Sequence, residues 1–131
     1  MRFLIAGIIA AAVSWAGNRA ALKIAGTGVI VFLSPLIEET AKSGTAFLTG
    51  SPLVLTHGIF GLIEGIYDAW GAGLRGLKAG LTGLAGHVFY GYATFLVLEK
   101  RQSILLAVIA GYMIHMLWNM VVLRFVVRKR R

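Results

Sequence analysis

The chain has 131 residues, of which 58% are hydrophobic and only 14% charged, with a mean hydropathy of +0.81. A soluble domain of this size carries roughly a quarter charged residues, so the composition excludes a water-covered globule and makes lipid the solvent for most of the surface. The net charge of +8 does not indicate a nucleic-acid partner, because the Lys and Arg residues sit between apolar runs and at the C-terminus.

A helix crosses a bilayer in about 20 apolar residues, and a window of that length predicts spans 3–22, 26–48, 52–70, 80–98 and 104–127. Asn18, Arg19 and Lys23 mark the end of the first. Gly50-Ser51-Pro52 forms a tight turn with proline entering the next helix. The stretch 68–78 is glycine-rich and charged, and Lys100-Arg101-Gln102-Ser103 closes the fourth span. Open sheets cannot span lipid, and the alternating short strands of a barrel are absent. The expected fold is therefore all-α, a single polytopic membrane bundle of about five transmembrane helices over residues 1–131. Small residues at i, i+4 (Gly61 and Gly65, Gly76 and Gly80, Ala79 and Gly83) suit close packing of helix backbones.

Positive charge orients the bundle. Arg2, Lys100 and Arg101 fall on one side, while Arg19, Lys23, Arg75, Lys78, Arg124 and the tail Arg128 to Arg131 fall on the other. The expectation is an integral protein of a prokaryotic cytoplasmic membrane, N-terminus outside and C-terminus in the cytoplasm. A leader ending at Ser14-Trp15-Ala16 is the competing reading of the first span, and it opposes that charge bias.

Ionisable residues interrupt these spans. Glu38 and Glu39 stand in the middle of the second, where a carboxylate is costly and a functional candidate by default. Lys42 follows Glu38 by four residues, on the same helix face, and pairs with it; the bland reading is an ion pair that only holds helices together. At ~1.5 Å per residue from the outer end of each span, Glu38 lies ~15 Å deep, Glu64 ~18 Å, His87 and His115 ~16 Å and Asn119 ~22 Å. Four helices thus deliver polar groups to nearly one plane, with His115 and Asn119 sharing a face at i, i+4. His57 lies ~8 Å from the outer end and is expected to be peripheral, near the headgroups. No serine has a triad context, and no H-E-x-x-H helix offers a zinc site, so no metal and no other cofactor is expected.

Ser34-Pro35-Leu-Ile-Glu38-Glu39-Thr-Ala-Lys42 resembles the P-x-x-E-E-x-x-K signature of the PrsW family, within the wider CAAX-protease and bacteriocin-processing group of intramembrane proteases. Three blocks follow in the family's order: Gly58 to Tyr67 with Glu64, Gly86-His87, and His115-x-x-x-Asn119. The resemblance covers residues 34–120 and departs from the pattern at Gly65, where the family has Asn, and at Ser43, where the CAAX branch has Arg. It implies an endopeptidase acting on a membrane-anchored protein or peptide within the lipid bilayer. On that reading Glu38 or Glu39, with His87, activates a water, and His115 and Asn119 donate to the oxyanion. Lys42 keeps one glutamate ionised, and Glu64 orients a histidine or shapes the pocket. Two other readings fit the buried polar residues: a non-catalytic membrane scaffold and a small proton-coupled transporter. The repeats and broken helices usual in such transporters are not evident in the sequence.

Overall fold

The computed structural model describes the backbone of residues 1–25 and 29–128 and the side chains of 1–25 and 31–124. The predicted start of the second span at Gly26, the side chains that end the fifth, and the tail beyond Arg128 lie outside these described parts. Every element among the described residues is a helix: α1 (Arg2–Ala25), α2 (Val29–Thr49), α3 (Leu53–Arg101) and α4 (Ile104–Arg128).

The expectation of five separate spans is not matched. Three helices are long and apolar enough to cross a membrane, namely α1, α3 and α4 over Ile104–Arg124. Helix α2 has the length, but Glu38, Glu39 and Lys42 place three charged residues within it. The predicted spans 52–70 and 80–98 are the two arms of α3, and the expected connection 68–78 is helical on both sides of a break at Gly73. Gly73 alone leaves helical geometry, at φ 56° and ψ −133°, a backbone region that glycine enters without a Cβ clash. There α3 doubles back, and its arms, 53–72 and 74–101, run antiparallel in contact. A methyl group at Gly80 would come within 2.7 Å of the Gly65 Cα, and one at Gly61 would meet the Leu84 Cα at 3.1 Å.

These contacts answer to the small-residue spacing in the sequence, except at the Ala79–Gly83 pair. Ala79 is exposed, and a methyl group at Gly83 would have nothing within 4 Å. Gly80→Val is expected to destabilise the protein by about 1–3 kcal/mol, since backbone on the facing arm cannot yield as a flexible side chain would. Gly83→Ala should be neutral. Thermal denaturation in detergent compares the two, and equal melting temperatures would mean that the arms do not pack at Gly65 and Gly80.

Helix α1 packs on both neighbours through glycines. A methyl group at Gly17 would meet Ile37 of α2 at 2.9 Å, and one at Gly7 would meet Ile59 of α3 at 2.5 Å. The Thr45 hydroxyl of α2 donates to the Ala6 carbonyl of α1 at 3.2 Å. Two short turns fix the remaining order. Gly50, at φ 60°, ends α2 while the Ser51 amide donates to the Ala46 carbonyl at 2.8 Å, the left-handed glycine stop of many helices. Gln102 caps α3 in the left-handed region, its amide donating to the Leu98 carbonyl at 2.8 Å. The resulting bundle has a polar centre: Glu39, Lys42, Ser43, Thr56, His57 and Thr94 are all fully buried.

Candidate functional site

The site is assembled from α2, both arms of α3, α4 and one residue of α1. Glu38 and Glu39 are adjacent on α2, with Lys42 one turn on, and consecutive residues of a helix point about 100° apart, so the two carboxylates face different surroundings. Glu39 is fully withdrawn from the surface, while Glu38 reaches the wall of a groove of about 900 Å³ between α1 and the first arm of α3. Glu64 lines the same groove, with 44% of its side chain exposed.

Lys42 is the hub. Its ammonium donates to Glu39 Oε1 at 2.6 Å and to His87 Nδ1 at 2.9 Å, and it lies 4.5 Å from the centre of the Phe60 ring. The expected i, i+4 pairing of Lys42 with Glu38 is present at 4.0 Å, and a closer i, i+3 bridge to Glu39 at 2.6 Å joins it. Both spacings place side chains on adjacent ridges of a helix; here His87, on the second arm of α3, draws the ammonium to the Glu39 side.

The hydrogen bonds also fix a tautomer. An ammonium has no acceptor, so Nδ1 of His87 must accept, and its Nε2–H donates to Glu64 Oε2 at 2.5 Å. His115 presents Nδ1 to Glu39 Oε1 at 2.9 Å and turns Nε2 toward Glu38 Oε2 at 3.9 Å. The separation of Nε2 and Oε2 suits a bridging water better than a direct bond. Asn18 of α1 donates from Nδ2 to the other Glu38 oxygen at 3.1 Å. Tyr90 stacks on His115 with ring centres 4.6 Å apart, and His87 meets the same imidazole edge-on at 5.4 Å.

The sequence-predicted residues Glu38, Glu39, Lys42, Glu64, His87 and His115 therefore form one connected cluster. Asn119 stands one helical turn beyond His115 on α4 and is half-buried. The peripheral placement of His57 is overturned. It is fully buried, its Nδ1 lies 3.6 Å from Glu39 Oε2, and its Nε2 lies 3.4 Å from the Ser43 hydroxyl. Room for it comes from another part of the chain: a methyl group at Gly91 would sit 2.7 Å from the His57 Cβ. The sequence carried a signal for this in the glycine-histidine complement of the two arms, but counting depth along one helix does not register it.

Glu38, His87 and His115 offer ligand atoms within 4.8 Å of one another and are the residues that could approach a metal ion. Both nitrogens of His87 are engaged, however, and one of them holds the Lys42 ammonium at 2.9 Å. A cation here would have to displace a cation, which disfavours the site electrostatically. Chemically, the cluster offers a groove-lining carboxylate, two imidazoles near it, and a buried Lys42–Glu39 pair bonded to those imidazoles. No family model, no curated protein and no solved structure matches the chain.

Proposed function

We propose that the protein is an intramembrane endopeptidase that hydrolyses peptide bonds of membrane-anchored substrates with a glutamate-activated water. The observation that carries this reading is the division of labour between adjacent carboxylates. Glu38, itself only 6% exposed, lines the wall of a groove large enough for a peptide, while Glu39 is fully buried and ties Lys42 and His115 in place. The resemblance of residues 34–120 to PrsW-like proteases supports the same reading. So does the charge bias, which favours a cytoplasmic-membrane protein with its C-terminus inside.

In this mechanism a water sits between Glu38 Oε2 and His115 Nε2, 3.9 Å apart, donating a hydrogen bond to each. Its lone pair attacks the scissile carbonyl carbon as Glu38 takes one proton. Asn119, one helical turn beyond His115, is the donor for the oxyanion. Collapse of the tetrahedral intermediate breaks the C–N bond, and the proton on Glu38 passes to the leaving amine. Glu39 and Lys42 hold the imidazoles, and Glu64 orients His87. Reconstitution in liposomes with a library of membrane-anchored peptides, comparing wild type with Glu38→Ala, tests the reading. Cleavage by neither protein, or equally by both, would refute it.

The same chemistry requires no metal. Purified protein treated with a chelator is expected to keep its full cleavage rate, and elemental analysis to find well under one zinc per chain. Loss on chelation with recovery on stoichiometric zinc would instead make Glu38, His87 and His115 ligands to a water-activating ion.

A further inference from the structure

Helix α1 lies outside the part of the chain that resembles a protease, yet it forms one wall of the groove beside Glu38. It brings two unsatisfied polar atoms there. The Ser14 hydroxyl and the Asn18 side-chain carbonyl are buried and have no hydrogen-bond partner, while the Asn18 amide nitrogen is spent on Glu38. Ser14 is 2% exposed, and it does not make the bond to the carbonyl one turn back that a helical serine commonly makes. A buried polar atom without a partner costs stability unless something else completes it.

From this we infer that Ser14 and Asn18 bind the backbone of an extended, apolar peptide laid along α1, with its scissile bond at Glu38. The inference rests on the endopeptidase reading above. Ser14 and Asn18, four residues apart, are separated by ~6 Å along the helix axis. Backbone groups two residues apart on one side of an extended chain are about 7 Å apart. The two side chains thus match alternate peptide groups of a strand. Such a strand needs them, because in lipid every exposed N–H and C=O must find a partner. Trp15, Phe60 and Ile63 supply apolar walls for its side chains, while the rim carries both signs of charge, with Arg19 and Lys23 on α1 and Asp68 on α3. The occupant is accordingly an apolar segment drawn out of helical form, not a charged ligand.

The test uses a palmitoylated nonapeptide of alternating Ala and Leu bearing a fluorophore, with the protein in lipid nanodiscs and Glu38→Gln in place to keep the peptide uncut. Each backbone amide is replaced in turn by an ester, which removes one N–H. One ester is expected to weaken binding by threefold to tenfold, the scale of one uncharged hydrogen bond. In Asn18→Leu, ester and amide should bind alike. Ser14→Ala should weaken the all-amide peptide by a similar factor without lowering the melting temperature, and Ser14→Thr should retain binding. Unchanged affinity in Ser14→Ala, with no ester-sensitive position, would overturn the inference and leave the groove to water. Cleavage by wild type that is indifferent to both changes would sink this inference and spare the enzyme. Binding with these sensitivities but without cleavage would sink the enzyme and spare the binding helix.

Discussion

Glu38→Gln will leave a folded protein that cleaves at least about 100-fold more slowly than wild type, the usual scale for loss of a general base. Glutamine keeps the shape of the side chain and an oxygen for the Asn18 amide, which donates to Glu38 at 3.1 Å. Lys42 is satisfied elsewhere, at Glu39 and His87, so the substitution strands no buried charge. What disappears is the proton acceptor beside the groove. The loss should appear in kcat, with KM nearly constant, because Glu38 contacts the water and not the peptide's flanking residues. Glu39→Gln differs in kind: it strips the main partner from both Lys42 and His115 and should cost stability as well as activity. Wild-type rates for Glu38→Gln would end the hydrolase reading, since no other carboxylate combines the groove with the His115 imidazole.

Lys42→Met is expected to be the most destabilising single change in the bundle, at about 3–5 kcal/mol, the cost of removing one partner from a buried ion pair. The ammonium is wholly buried, bonded to Glu39 and His87, and set against the Phe60 ring. Methionine fills similar volume but leaves the Glu39 charge to the imidazoles of His115 and His57. Adding Glu39→Gln to Lys42→Met should recover part of the loss, with a coupling of about 1–3 kcal/mol between the two sites. Reversible unfolding in mixed micelles measures all three proteins. A Lys42→Met protein within about 1 kcal/mol of wild type, less than any buried pair would show, would mean that the cluster is not held by charge.

Much of this arrangement was legible in the sequence, and the parts that were not share a cause. Periodicity and composition located α1, α2 and α4, because burial in lipid demands long apolar helices whatever packs beside them. The depth count brought Glu38, Glu64, His87 and His115 to one level because helical rise is nearly constant. Neighbouring elements decided the rest. Glu38 and Glu39 are equivalent in a linear reading, and only the positions of α1 and α4 make one face a groove and bury the other. His57 looked shallow along its own arm, but Gly91 on the opposite arm admits it to the centre. The stretch 68–78 looked like a loop because glycines and charges are frequent in loops; a single residue, Gly73, makes the reversal. Ser14 and Asn18 are unremarkable residue types, and their significance appears only when their lack of partners is seen.

The reversal at Gly73 also divides the cluster by order of synthesis. Glu38, Glu39, Lys42 and Glu64 all precede it, and His87, His115 and Asn119 all follow. A ribosome therefore delivers the acids and the lysine to the membrane before either of those histidines exists. During that interval the 2.6 Å bridge between Glu39 and Lys42, formed within one helix, can pair two of those charges without help from later helices. A half-made chain therefore already holds one internal ion pair among three helical segments, and the polar cluster closes only when the second arm of α3 and α4 have been added.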